Sequence, residues 1–116
     1  MEPATGLDSP LYEIKANLFK ALAHPARIRI LELLVAAGEP LPVSSLLETL
    51  GLEASLLSQH LRVLRQHHVV TSTRSGNAVT YQVSHPQIES LLLAARGFLL
   101  DHLAVQQRTL AMAAQL

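Results

Sequence analysis

The stretch from Glu53 to His68, EASLLSQHLRVLRQHH, constrains this chain more than any other. At about 100° per residue on a helix, Leu57, Leu61 and Leu64 fall within about 60° of one another. Ser55, Arg62 and Gln66 fall on the opposite side, flanked by Ser58 and Gln59. One face therefore needs a core. The other carries hydroxyls, amides and a guanidinium, and no carboxylate. Such groups hydrogen-bond phosphates and base edges in a DNA major groove. An ordinary amphipathic surface helix has the same pattern, so the reading depends on what flanks it.

The charge around this stretch is uneven. Net charge is zero, yet residues 1–53 hold four Lys/Arg against seven Asp/Glu. Residues 54–88 hold Arg62, Arg65 and Arg74 and no acid, and residues 89–116 balance Arg96 and Arg108 against Glu89 and Asp101. A carboxylate-free block inside a neutral protein is a local footprint for a polyanion. His60, His67, His68 and His85 lie in the same block and add charge at mildly acidic pH.

Composition excludes several functions. The 116 residues suit one domain, and 49% hydrophobic content suffices for a core and a subunit interface. Aromatics are 3%, which disfavours stacking of single-stranded bases. There is no cysteine, hence no disulfide, thiolate metal site or thiol redox sensor. The N-terminus MEPATGLDSP has neither the basic start nor the apolar run of a signal peptide. No uncharged apolar run is long enough to span a bilayer. A cytoplasmic protein with no membrane partner is expected.

Residues 1–9 read as a disordered tail and residues 10–116 as a single domain. Leu11, Ile14, Leu18, Phe19 and Leu22 recur at helical spacing, predicting a helix over about 11–22. After His24, Pro25 suits the first turn of a second helix over 25–37, with Ile28, Leu31, Leu34 and Val35 inward and Gly38 as its cap. Pro40 and Pro42 mark a loop. A short helix over 43–50, opened by Ser44 or Ser45 and ended by Gly51, leads through a tight turn into a helix over 54–67. Helix, glycine turn, amphipathic helix is a helix-turn-helix spacing. Strands follow at about 69–74 and 78–83, joined by Ser75-Gly76-Asn77, with Arg74 and Asn77 at the tip. From Pro86 to about Leu110, a last helix presents Ile88, Leu91, Leu92, Ala95, Phe98, Leu99 and Leu103. That is more apolar surface than a terminal helix hides alone, and it predicts a partner helix.

The fold class expected is mainly α with a small β-hairpin wing. In this order the segments LFKALAHPARIRILELL (18–34), SLLSQHLRVLRQHHVV (55–70) and TRSGNAVTYQV (73–83) resemble the ArsR/SmtB (arsenic-repressor type) family of winged helix-turn-helix transcriptional regulators. The chain looks most like cysteine-free, actinobacterial members. The resemblance implies a homodimer that pairs first and last helices, with Leu11, Ile14, Leu18, Leu92, Phe98, Leu99 and Leu103 at the interface. It implies a repressor on double-stranded DNA at an inverted repeat, with the helix over 54–67 in the major groove. By position, Ser55, Ser58 and Gln59 become the main contacts, and Ser44 holds a phosphate. Arg62 and Gln66 join them by the helical count. Arg74 and Asn77 match the wing tip, where the family often has a second basic residue and this chain has a neutral one.

Other readings of these residues stand beside this one. His60 of the SQHL segment lies near Leu57 and Leu64 by the helical count, so a packing role is expected over a DNA contact. His24 is expected to be structural. Relatives that bind metal use cysteines on the first helix-turn-helix helix, or an Asp-x-His pair with a later His and Glu on the last. Here the first set is absent, and Glu89, Asp101 and His102 do not match the second. Imidazoles of His67, His68 and His85 suit zinc, nickel or copper, but adjacent histidines point apart, so no metal, cofactor or inducer is assigned. A metal-responsive derepressor and a non-DNA-binding interaction module of the same fold stay as alternatives. No phosphate loop or Ser-His-Asp spacing supports an enzyme.

Overall fold

Leu57, Leu61 and Leu64 each keep 2% or less of their surface exposed, so the face that needed a core has one. The computed structural model describes residues 10–114. Residues 1–9, read above as a disordered tail, lie outside the described residues, as do 115 and 116. The chain divides into two compact units, one ending at Ser84 and one beginning at His85. The first holds α1 (Leu11–Leu22), α2 (Pro25–Ala37), β1 (Leu41–Pro42), α3 (Val43–Leu50), α4 (Ala54–Gln66), β2 (Val70–Ser75) and β3 (Ala78–Val83). The second is α5 (Pro86–Ala114), which runs past the expected end at Leu110.

Helix α2 starts as its sequence dictates. Pro25 occupies the first turn, where its missing N–H has no acceptor to lose. The His24 ring caps the helix, its Nδ1 accepting from the Ala26 N–H at 3.1 Å. Gly38 ends α2 at φ +66°, a left-handed conformation that costs glycine little. The inward face differs from the expected set. Ile30, Leu31 and Leu34 are buried, whereas Ile28 and Val35 are only half-buried.

The segment after α2 departs from the expected loop. Leu41 pairs with Tyr81 and Pro42 with Thr80, so β1 is a two-residue edge strand in a three-stranded antiparallel sheet of order β1-β3-β2. A proline is tolerated there because an edge strand leaves one side of its backbone unpaired. Helix α3 then begins at Val43, directly out of the strand, with Pro42 at the cap position and no side-chain cap. Ser44 and Ser45 therefore lie inside the first turn and do not open the helix.

The corner between α4 and β2 shifts the first hairpin strand by one residue from its expected span. His68 takes φ +59°, the left-handed conformation, although it is not glycine. Its N–H donates to the Arg65 carbonyl at 3.0 Å, and the Val69 N–H donates to the Leu64 carbonyl at 2.9 Å. This is the Schellman pattern, completed by apolar contact between the residues at its two ends. Val69 and Leu64 are both buried. Val69 is thus spent on the corner, and the strand starts at Val70. The turn is the two-residue Gly76-Asn77, flanked by paired Ser75 and Ala78, with Gly76 at φ +62°. Positive φ at the first central residue is the requirement of a II′ hairpin.

The core of the first unit gathers Ile30, Leu31 and Leu34 from α2, Leu46 from α3, the three leucines of α4, and Val69 and Val70. Helix α5 buries none of its described residues.

Candidate nucleic-acid interface

The core fixes which side of α4 faces out. With Leu57, Leu61 and Leu64 inward, Ser55, Ser58, Gln59, Arg62 and Gln66 are all exposed. None of the five side chains makes a hydrogen bond or ion pair with the described residues. Arg62, Arg65 and Arg74 are equally unpaired, and among the described residues the ion pair present is Arg29–Glu32 at 3.3 Å, far from this face in sequence and exposed. No carboxylate among the described residues pairs with the block. Glu53 supplies only its backbone to the cap of α4, so the first-turn N–H groups around Ser55 have no intrahelical acceptor. That end of the helix carries partial positive charge, which favours a phosphate.

Sheet pairing brings two distant candidates together. Because Pro42 pairs with Thr80, the start of α3 lies beside the hairpin turn. Ser44 and Asn77 line one recess of about 350 Å³, with Val43 and Ala78 between them. Arg74 is exposed and paired with Val79, next to the turn. Arg65, named in the acid-free block but not among the contact candidates, is exposed on the Ser58 side of α4 and so stands beside them.

His60 stays out of this surface. It is 4% exposed, and its Nδ1 accepts from the Arg27 Nε–H at 3.2 Å. Arg27 also donates through Nη1 to the Ala21 carbonyl at 3.1 Å. The His24 ring lies 4.4 Å away, centre to centre. Accepting at Nδ1 requires a neutral imidazole. Burial, then the neighbouring His24 and Arg27, hold the His60 pKa below the ordinary 6.5. The hydrogen bond ties α4 to α2, so His60 helps fix the exposed face of α4 without belonging to it.

A pH dependence follows. The unfolded chain takes up a proton on His60 near 6.5 and the folded chain does so only at lower pH. Stability is therefore complete above about 6.5 and falls as pH drops from there through the folded pKa. Thermal melting across this window should show a smaller loss in His60→Gln, which keeps an acceptor for Arg27 and does not titrate. Equal losses in both proteins would remove His60 from the account.

Among the described residues, no three His, Asp or Glu side chains gather as a metal site. His68 sits at the left-handed corner, one residue past the His67 cap.

A helix-turn-helix domain family matches residues 22–73. The uncharacterized HTH-type transcriptional regulator Rv0081 of Mycobacterium tuberculosis is 54% identical over 91 residues, 78% of each chain. Its crystal structure matches with a TM-score of 0.76 at 50% identity, over 84% of this chain and 97% of that one. The HTH-type transcriptional repressor SmtB of M. tuberculosis is 33% identical over 85 residues, 73% of this chain and 62% of SmtB. A solution structure from Mycobacterium bovis, the homodimeric winged helix-turn-helix DNA-binding domain of Mb0332, shares the fold with a TM-score of 0.73 at 24% identity, over 89% and 94% of the two chains.

Fold and relatives together define a winged helix-turn-helix transcriptional regulator, a class that works by binding DNA and not by catalysis. Within that class, the chain belongs to the ArsR/SmtB family.

Proposed function

We propose that the protein is a homodimeric repressor, acting in the cytoplasm, that occupies an inverted-repeat operator in duplex DNA. One observation carries this reading: the exposed side of α4 presents Ser55, Ser58, Gln59, Arg62 and Gln66, whose side chains have no hydrogen-bond partner and no paired carboxylate among the described residues. In the major groove, the Gln59 amide reads a base edge, and Ser55 and Ser58 contact bases or phosphates. Arg62, Gln66 and Arg65 hold the backbone on either side. Ser44 and Asn77, sharing one recess, take a phosphate outside the groove, and Arg74 extends the contact along the wing.

Two copies are required because one helix reads too few base pairs to select an operator. The proposed interface pairs α1 and α5 through Leu11, Ile14, Leu18, Leu92, Phe98, Leu99 and Leu103. Support comes from exposure: Leu11 is 64% exposed and Phe98 69%, and Ile14, Leu99 and Leu103 are also open. Leu18 and Leu92 are half-buried. Residues 10–116 thus serve both DNA binding and dimerisation. A two-fold protein demands a near-palindromic site with half-sites about one helical turn apart. No helix among the described residues is long and apolar enough to cross a membrane.

The test is selection of duplexes from a random pool, followed by affinity measurements at rising salt. An inverted repeat should emerge, with affinity falling steeply as counterions compete. Two substitutions separate the roles. Gln59→Ala should cost about 1–3 kcal/mol and relax the preference at one base pair of each half-site. Arg74→Ala should weaken binding about equally across sequences and lower the salt slope by about one. An unchanged selection profile for Gln59→Ala excludes direct readout through that amide. If no duplex is retained, the fold serves protein interaction instead.

A further inference from the structure

Away from the groove-reading face, the first unit has a second polar recess. Asn17, Lys20 and Ala21 of α1, Arg27 of α2, and Val63 and His67 of α4 line a cavity of about 310 Å³. Its polar lining is one amide, one ammonium, one guanidinium and one imidazole, with no acid. Arg27 sets the character of this cavity. It is half-buried, and both of its protein acceptors, the His60 ring and the Ala21 carbonyl, are neutral. Its Nη2 has no acceptor among the described residues, and no carboxylate pairs with it or with Lys20. A partly buried guanidinium usually has a countercharge, because desolvating a cation alone is costly. Here the described residues supply none.

We propose that this cavity binds a small oxyanion, a carboxylate or phosphate group, held by the free edge of Arg27, by Lys20 and by His67, with Asn17 as a neutral donor. A planar guanidinium edge suits two oxygens of such a group. The volume is at the lower end of the range for small-molecule sites. A DNA phosphate is a poorer occupant. Val63 and His67 lie about 100–140° round α4 from Arg62, so the cavity opens on the flank of the helix when Arg62 faces the groove.

The cavity is wired to the recognition helix. Its occupant touches α4 directly at Val63 and His67, and Arg27 is shared with His60, which anchors α4. If the operator reading holds, the anion and the operator alter each other's affinity by the same factor.

The experiment is an amide NMR titration of the full chain without DNA, so its outcome does not depend on the operator reading. One arm uses inorganic phosphate and the other succinate, with sodium chloride holding ionic strength constant. Saturable shifts at Lys20, Arg27 and His67 in either arm support the site, and the arm that saturates at lower concentration names the preferred oxyanion. Arg27→Gln should weaken binding about tenfold and Lys20→Gln about threefold. Lys20 and His67 are exposed, so Lys20→Gln and His67→Gln decide the matter even if Arg27→Gln fails to fold. Shifts that never saturate in either arm overturn the proposal. So does saturable binding that neither exposed substitution weakens.

Discussion

Replacing both Leu99 and Leu103 with aspartate should leave single chains in solution and lower the affinity for the operator duplex by about 10²–10⁴-fold. The argument begins with the surface of α5. Twenty-nine residues of helix bury none of their described side chains, while Leu93, Phe98, Leu99, Leu100, Leu103 and Leu110 stand open to water. Exposed apolar area on this scale marks an association surface. Two carboxylates in its middle would have to be desolvated on pairing, and the cost exceeds what the lost leucine contacts alone represent. The residues proposed to read the groove lie in the other unit and remain intact, so each monomer should keep one half-site's worth of contacts. What it loses is the second binding event, which is intramolecular in a dimer and therefore worth an effective concentration. Sedimentation measures the mass and fluorescence anisotropy the affinity. A variant that stays dimeric places the interface elsewhere, and a monomer with undiminished affinity removes the need for two copies.

The second large effect is on stability. Leu57→Ala should destabilise the protein by about 2–5 kcal/mol, the range for truncating a leucine in a closed core. Leu57 has no exposed surface and lies one turn from Leu61, with Leu64 completing the stripe. Neighbours that are themselves fully buried, such as Leu61 and Leu64, have little room to move into the space left behind. Against a typical total of about 5–15 kcal/mol, this is a large share. Urea unfolding monitored by circular dichroism gives the value. A loss below about 1 kcal/mol would mean that this side of α4 is less tightly held than its burial implies. The exposed neighbour Ser58→Ala is the control and should change stability by less than about 0.5 kcal/mol.

Much of this architecture was legible because it is local. The leucine stripe of α4, the Pro25 start and Gly38 end of α2, and the glycine turn of the hairpin are each encoded within a few residues. What escaped detection is non-local. Leu41–Pro42 forms a strand only because Thr80 and Tyr81 arrive beside it, and nothing in its own composition signals that pairing. Once β1 exists, α3 must begin at Val43, which moves Ser44 from a cap to an exposed first-turn position. His68 accepts a left-handed backbone because Val69 is buried behind it, a tertiary reward that overrides the preference of a non-glycine residue. The Arg27–His60 hydrogen bond joins residues with no periodic relation. The helical count put His60 on the core side but could not name its partner. For the DNA face, the absence of acids over residues 54–88 was visible in the chain. That no acid among the described residues pairs with Arg62, Arg65 or Arg74 required coordinates.

The most direct measurement for the whole account is the stoichiometry and salt response of one complex. The full chain and an inverted-repeat duplex recovered by selection are titrated together and followed by sedimentation at several salt concentrations. The prediction is two chains per duplex at saturation, with log affinity falling linearly and steeply against log salt concentration. One chain per duplex at saturation, or an affinity indifferent to salt, would contradict a paired, phosphate-seeking α4 surface.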